Sequence, residues 1–165
     1  VDRGHREVVA VDLEPTRREL AGTLGAHTTL DPAADDVWAE LARVHGSSRS
    51  ASGTTPATVG YIEASGAGRV VTDVIDHAGA GAHVSVVALH FAPIPTSFLT
   101  ILMKELVIRG SMEYPARFAD TLDLLARRDL SPMITHRFPL DAFDEALATL
   151  QTSKACGKVL VTCTG

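Results

Sequence analysis

Glu7-Val8-Val9-Ala10-Val11-Asp12, followed by Leu13-Glu14-Pro15-Thr16-Arg17-Arg18 and closed by Leu24-Gly25-Ala26, is the stretch that decides the architecture. The unbroken apolar row Val8 to Val11 reads as a short strand buried on both faces, the kind found in parallel sheets. It ends in a carboxylate. Proline then suits the first position of a helix, where its missing N–H is not needed, and Gly25 suits the stop. Leu20, Ala21 and Leu24 recur at the spacing of one buried helical stripe.

The alternation continues along the chain. His27 to Leu30 reads as a strand, and Asp31-Pro32 as the start of a helix with Val37, Leu41 and Val44 inward and Gly46 at its end. Residues 46–58 are mostly Gly, Ser, Thr and Ala. Nothing in them packs a core, and they read as a flexible surface loop of more than usual length. Next come a strand near Val59 to Glu63, a turn at Ser65-Gly66, and a helix from about Arg69 to His77 with Val70, Val71, Val74 and Ile75 inward. Ala82 to Val87 is a strand and Ala92 to Thr96, with Pro93 and Pro95, a loop. Phe98 to Lys104 fits helix or strand, and Leu106 to Gly110 reads as a strand. Pro115 opens a helix with Phe118, Leu122 and Leu125 inward; Asp141 caps another carrying Phe143, Ala146, Leu147 and Leu150; Gly157 to Val161 closes as a strand. Strands alternating with helices predict an α/β fold, a doubly wound parallel sheet.

Composition narrows the function. At 165 residues the chain fits one domain with a real core. A net charge of -5 argues against nucleic acid and anionic membrane surfaces, because phosphate contacts need Lys and Arg. The most apolar run, Phe98 to Ile108, is interrupted by Lys104 and Glu105 and is too short to span a bilayer. Two cysteines, Cys156 and Cys163, imply a reducing, cytoplasmic setting rather than a disulfide scaffold. Their spacing does not match structural zinc, and the seven histidines show no paired spacing, so no metal is assigned to this chain. A Gly-x-Ser-x-Gly elbow is absent, which removes support for a serine hydrolase.

Asp12 is the leading functional candidate. A carboxylate at the C-terminal tip of a parallel strand sits where such sheets bind ligands, and in dinucleotide-binding folds it accepts hydrogen bonds from the adenosine ribose. The competing reading is a carboxylate that merely favours the N-terminus of the next helix. Arg17 lies within reach of a ribose or phosphate, or is solvated surface; Arg18 reads as surface. A first strand and a Gly-x-Gly-x-x-Gly turn should precede this unit. Only Val1 to Arg6 do, so the chain is expected to begin inside a fold, just after that turn.

The order of the pieces resembles the cofactor-binding half of medium-chain, zinc-type alcohol and polyol dehydrogenases, closest to the polyol and threonine branch. Val9 to Ala26 is similar to that family's second strand and helix, and Tyr61-Ile62-Glu63-Ala64-Ser65-Gly66 to its fourth-strand signature. Ala80 to Val87, Lys104 to Ser111, Thr135 to Leu140 and Gly157-Lys158-Val159 follow in matching order. Ala88 departs from the usual glycine. The resemblance implies a partial Rossmann-like domain over residues 1–165, lacking its first strand and glycine turn, with the catalytic zinc domain absent.

It further implies NAD as cofactor, favoured over NADP by Asp12, with Arg17, Ser65 and Gly66 at the cofactor edge. Val87, Ala88, Leu89, Gly110, Ser111 and Met112 would flank the nicotinamide, and Glu63 would be structural rather than a base. No catalytic residue falls in this chain; zinc belongs to the complete enzyme, and the chain alone is expected to be inactive. The substrate class is a small alcohol or polyol. Exposed Leu99, Ile101 and Leu102 on a long edge strand would pair two copies as a dimer or tetramer through Phe98 to Gly110. Two other classes stay open: a noncatalytic oligomerisation module derived from such an enzyme, and an S-adenosylmethionine methyltransferase.

Overall fold

A computed structural model describes residues 7–50, 53–112, 118–151 and 156–163. Six helices and nine strands alternate among them: β1 (Val9–Val11), α1 (Pro15–Thr23), β2 (Thr28–Leu30), α2 (Val37–His45), β3 (Ser47–Ser50), β4 (Gly53–Pro56), β5 (Gly60–Glu63), α3 (Gly68–His77), β6 (His83–Val86), α4 (Phe98–Lys104), β7 (Val107–Gly110), α5 (Phe118–Arg127), β8 (Ile134–Pro139), α6 (Phe143–Gln151) and β9 (Lys158–Thr162). The chain divides into two compact units, Val1–Asp35 with Arg117–Gly165, and Asp36–Ala116.

In the first unit β1 pairs with β2 and β8 with β9, both parallel. Parallel neighbours need a long crossover, and helices α1 and α6 supply it. α1 packs on β1 and β2, and α6 on β8 and β9. Proline stands at the first turn of α1 as expected, and Gly25 follows the helix at φ 104°.

In the second unit β5, β6 and β7 form a parallel sheet in that order, joined through α3 and α4. Val71, Val74 and Ile75 recur at helical spacing on α3 and join Ala78, Ala82, Val84 and Leu106 as the core. Burying a side chain such as Val84 stabilises by about 1.5–3 kcal/mol. Trp38 on α2 stacks on His77 at the end of α3, ring centroids 4.6 Å apart. Lys104 is buried at the end of α4. Its Nζ donates to the carbonyls of Ile75 and Asp76, at 3.2 and 2.6 Å, and so caps the last turn of α3. Burial draws its ammonium below the usual value, against the opposing pull of the Asp76 carboxylate.

Several expectations need correction. Residues 46–58 are not a loop: β3 and β4 form an antiparallel hairpin, Ser47 opposite Pro56. Small polar residues suffice because the backbone ladder carries the stability, and Gly79 lets the hairpin pack close. A Cβ at Gly79 would lie 2.9 Å from the Pro56 carbonyl oxygen. Asp31 does not start α2. Its carboxylate accepts from Ala33 N in a turn, and Asp36 caps the helix by accepting from Ala39 N. Phe98 to Lys104 is helical, because Ser97 Oγ accepts from Thr100 N and begins it. Leu99, Ile101 and Leu102 therefore lie on a helix rather than an edge strand, and Ile101 packs against the core.

Strand β8 spans most of the segment Thr135 to Leu140 that carries the resemblance. The faces of α5 and α6 expected inward are half-exposed, with Leu122 at 54% and Phe143 at 52%, while Ala146 is buried. On α1, Leu20 and Ala21 are half-buried and Leu24 is exposed. Amphipathic spacing marks which face is apolar; it does not say what covers it. The helix start expected at Pro115 lies outside the described residues. No helix among the described residues is long and apolar enough to cross a membrane.

Lys104→Met keeps the apolar stem but leaves the Ile75 and Asp76 carbonyls without a buried donor. It is expected to lower the unfolding free energy by about 2 kcal/mol, read from the midpoint of a guanidinium titration.

Candidate functional site

The C-terminal ends of β5, β6 and β7 lie together on one edge of the three-stranded sheet. Glu63 is the last residue of β5 and its side chain is fully enclosed. Its Oε1 accepts from Ser65 N at 2.8 Å, Ser65 Oγ at 2.6 Å and Gly66 N at 3.0 Å. Its Oε2 meets His90 Nε2 at 2.8 Å. The main chain of Glu63 contributes as well: its carbonyl oxygen accepts from Val87 N and Ala88 N at 2.9 and 3.3 Å. Glu63 thus fastens the turn after β5 to the segment after β6. Burial opposes ionisation of its carboxyl, but the bonds from Ser65, His90 and the Ser65 and Gly66 amides outweigh it and hold its pKa below the usual range.

These fastened segments border an open cleft of about 440 Å³, lined by Gly66, Gly68, Leu89, His90, Ile94 and Pro95 among others. Gly66 holds φ 73°, which disfavours any side chain, and a Cβ there would meet the Leu89 carbonyl oxygen at 3.4 Å. Ser65, Gly66, Val87, Ala88 and Leu89 are therefore brought to one place. Gly66 and Leu89 line the cleft, while Ser65 is committed to Glu63 and donates no hydroxyl elsewhere. Ser111 stands just past β7, tied by its N–H to the Val86 carbonyl at 3.0 Å.

Asp12 and Arg17 belong to the other unit and are described with it. Asp12 follows β1 and its N–H donates to Leu30 O at 3.2 Å. Its Oδ1 accepts from Glu14 N at 2.9 Å, and Oδ2 lies 3.8 Å from Arg17 Nη1 with the side chain 36% exposed. The carboxylate thus shapes the turn into α1 and keeps one oxygen toward solvent and Arg17. The structure gives Asp12 a part in the turn that leads into α1. It is not the helix cap itself; that position is Glu14, which makes no side-chain cap.

Arg18 corrects its reading as plain surface. Its Nη1 donates to the carbonyls of Asp12 and Leu13 at 2.7 and 2.8 Å, and its Nη2 lies 3.1 Å from Asp31 Oδ2. His90 also went unremarked in sequence. It lies 27 positions from its partner, and no local spacing announces such a pair. Among the described residues no three His, Cys, Asp or Glu side chains gather as a metal site. Cys156 and Cys163 are unbridged.

Residues 2–127 match the family described as zinc-binding dehydrogenase. L-threonine 3-dehydrogenase of Alteromonas mediterranea is 29% identical over 166 residues, covering 96% of this chain and 45% of that protein. Among solved structures, 2R,3R-butanediol dehydrogenase from Bacillus subtilis has a TM-score of 0.79 at 25% identity, covering 98% of this chain and 45% of its own. A zinc-binding dehydrogenase of Sinorhizobium meliloti 1021, solved bound to NADP, has a TM-score of 0.77 at 26% identity and covers 96% and 45%. The chain spans about half the length of the curated relatives it matches.

Glu63→Gln is expected to destabilise the protein by about 2–3 kcal/mol at neutral pH, since the donors around it then face an uncharged acceptor. A lowered folded pKa means the carboxylate's contribution is full above its unfolded pKa and is lost as pH falls through the folded value. Urea titrations from neutral to acid pH should show that slope in the wild type and a shallower one in the variant.

Proposed function

The chain belongs to the zinc-binding dehydrogenase family, and from that membership we propose that it is part of the dinucleotide-binding portion of an oxidoreductase that moves hydride between NAD and a small alcohol or polyol. Residues 1–165 form a partial dinucleotide-binding domain in this reading. The observation that carries it is Asp12, a carboxylate at the C-terminal tip of a parallel strand whose second oxygen faces solvent 3.8 Å from Arg17 Nη1. Vicinal ribose hydroxyls donate to such a group. A 2′-phosphate meets it as a like charge, at about 1–4 kcal/mol for one pair of unit charges 4 Å apart near a surface. That repulsion favours NAD here, whereas the Sinorhizobium relative was solved with NADP.

The nicotinamide ring, when bound, supplies the hydride acceptor or donor. The protein's part is orientation. Gly66 leaves room for close approach beside Leu89, and Glu63 with His90 holds that lip still. Val87, Ala88, Leu89 and Ser111 would flank the ring from the ends of β6 and β7, and Arg17 would reach the adenosine side. The catalytic zinc and the proton relay belong, in this reading, to the complete enzyme, and the isolated chain is inactive. The unbridged cysteines support a cytoplasmic setting.

The strand β7 is hydrogen-bonded only to β6 among the described residues, and all four of its residues are exposed. Phe98, Leu99 and Leu102 are exposed on the preceding helix. This edge supports pairing of two copies across a two-fold axis, as dimer or tetramer. It also favours the second reading, a noncatalytic association module.

Nucleotide titration separates the readings. NADH is expected to gain fluorescence on binding the protein, and Asp12→Asn to weaken it about tenfold while narrowing the preference over NADPH. Absence of binding at millimolar NADH leaves only the association module. Light scattering is expected to give at least a dimer, and a monomer at high concentration rejects the β7 edge as a subunit contact.

A further inference from the structure

Two carboxylates stand at neighbouring strand tips in the first unit. Val11 is opposite Leu30 in the parallel register, so Asp12 and Asp31 leave β1 and β2 side by side. Arg18 lies between them. Its guanidinium donates to the two carbonyls that bracket the β1 exit, Asp12 O and Leu13 O, and pairs with Asp31 Oδ2. It is 17% exposed, against 44% for Arg17. Asp31 is itself held: its Oδ1 accepts from Ala33 N at 2.9 Å and its N–H donates to Asp35 Oδ2 at 2.8 Å.

A planar guanidinium can satisfy three fixed acceptors at once, which a lysine ammonium on a flexible stem cannot match. The main chain carrying the Asp12 side chain is therefore set from beneath, and the charge of Arg18 is directed to Asp31 rather than to the Asp12 oxygen beside Arg17. Resting on the ribose reading of Asp12, we infer that Arg18 and Asp31 are the positioning pair that sets cofactor discrimination. Arg18 holds the Asp12 carboxylate at the ribose, and Asp31 keeps the Arg18 charge from serving a 2′-phosphate.

The two members should fail in opposite ways. Arg18→Met releases the β1 exit, weakening NADH about tenfold while NADPH stays as weak as before. Asp31→Asn keeps an oxygen for Ala33 N but removes the countercharge, so NADPH tightens about fivefold with NADH changed less than twofold. Arg18→Lys restores less than half of the NADH affinity lost in Arg18→Met.

The test is fluorescence titration of the full chain with NADH and NADPH, with melting temperature recorded for each variant. Where Arg18→Met does not fold, Asp31→Asn decides. An NADH to NADPH affinity ratio within twofold of wild type in Asp31→Asn overturns the inference. If Asp12→Asn shifts that ratio in the same experiment, the ribose reading survives and only the positioning pair is lost. If Asp12→Asn leaves the ratio unmoved, both are overturned.

Discussion

The buried carboxylate of Glu63 is the interaction on which the C-terminal edge of the second unit's sheet depends. A parallel strand ends with backbone groups that its neighbour no longer meets, and the turn after it must satisfy them or leave them to water. Glu63 does this with one side chain and one carbonyl. The carboxylate gathers the amides of Ser65 and Gly66, the Ser65 hydroxyl and the His90 ring, while the carbonyl receives Val87 and Ala88. Removing that charge from water is unfavourable by itself, and only the number and quality of its donors make the ionised form acceptable. Gly66 takes its left-handed backbone in the same turn, directly after the amide that reaches Oε1.

The first unit solves the same problem with the opposite charge. At the exit of β1 the groups to be met are carbonyls, and the donor is the Arg18 guanidinium, which also pairs with the Asp31 carboxylate just past β2. Lys104 repeats the logic at the end of α3, where the last carbonyls of a helix lack partners. Each of the three charged groups sits under an element end, not on an open face. The groups proposed to meet the cofactor stand beside them: Asp12 next to Arg18, and Gly66 with Leu89 next to Glu63.

Much of the frame was readable because it rests on periodicity. Val8 to Val11 advertises a parallel strand by apolar continuity, and Val71, Val74 and Ile75 advertise α3 by spacing. The hairpin of Ser47 to Pro56 escaped because its stability lies in backbone pairing, which small polar side chains do not signal. The Phe98 segment was decided by Ser97, a cap whose weight an apolar run conceals. Arg17 and Arg18 look alike in the chain, yet successive residues on a helix point about 100° apart, so one meets solvent and the other the strand tips. The Glu63 and His90 pair joins the ends of two strands, and no local pattern encodes a contact formed by the sheet.

The placement of the hairpin has an engineering consequence. β3 and β4 lie between the end of α2 and the entry to β5, and their base is keyed to Gly79 just after α3. The cleft opens past the other end of β5, beyond Glu63. A dye or affinity handle grafted on the hairpin would sit at the opposite end of β5 from the cleft, provided position 79 stays without a side chain.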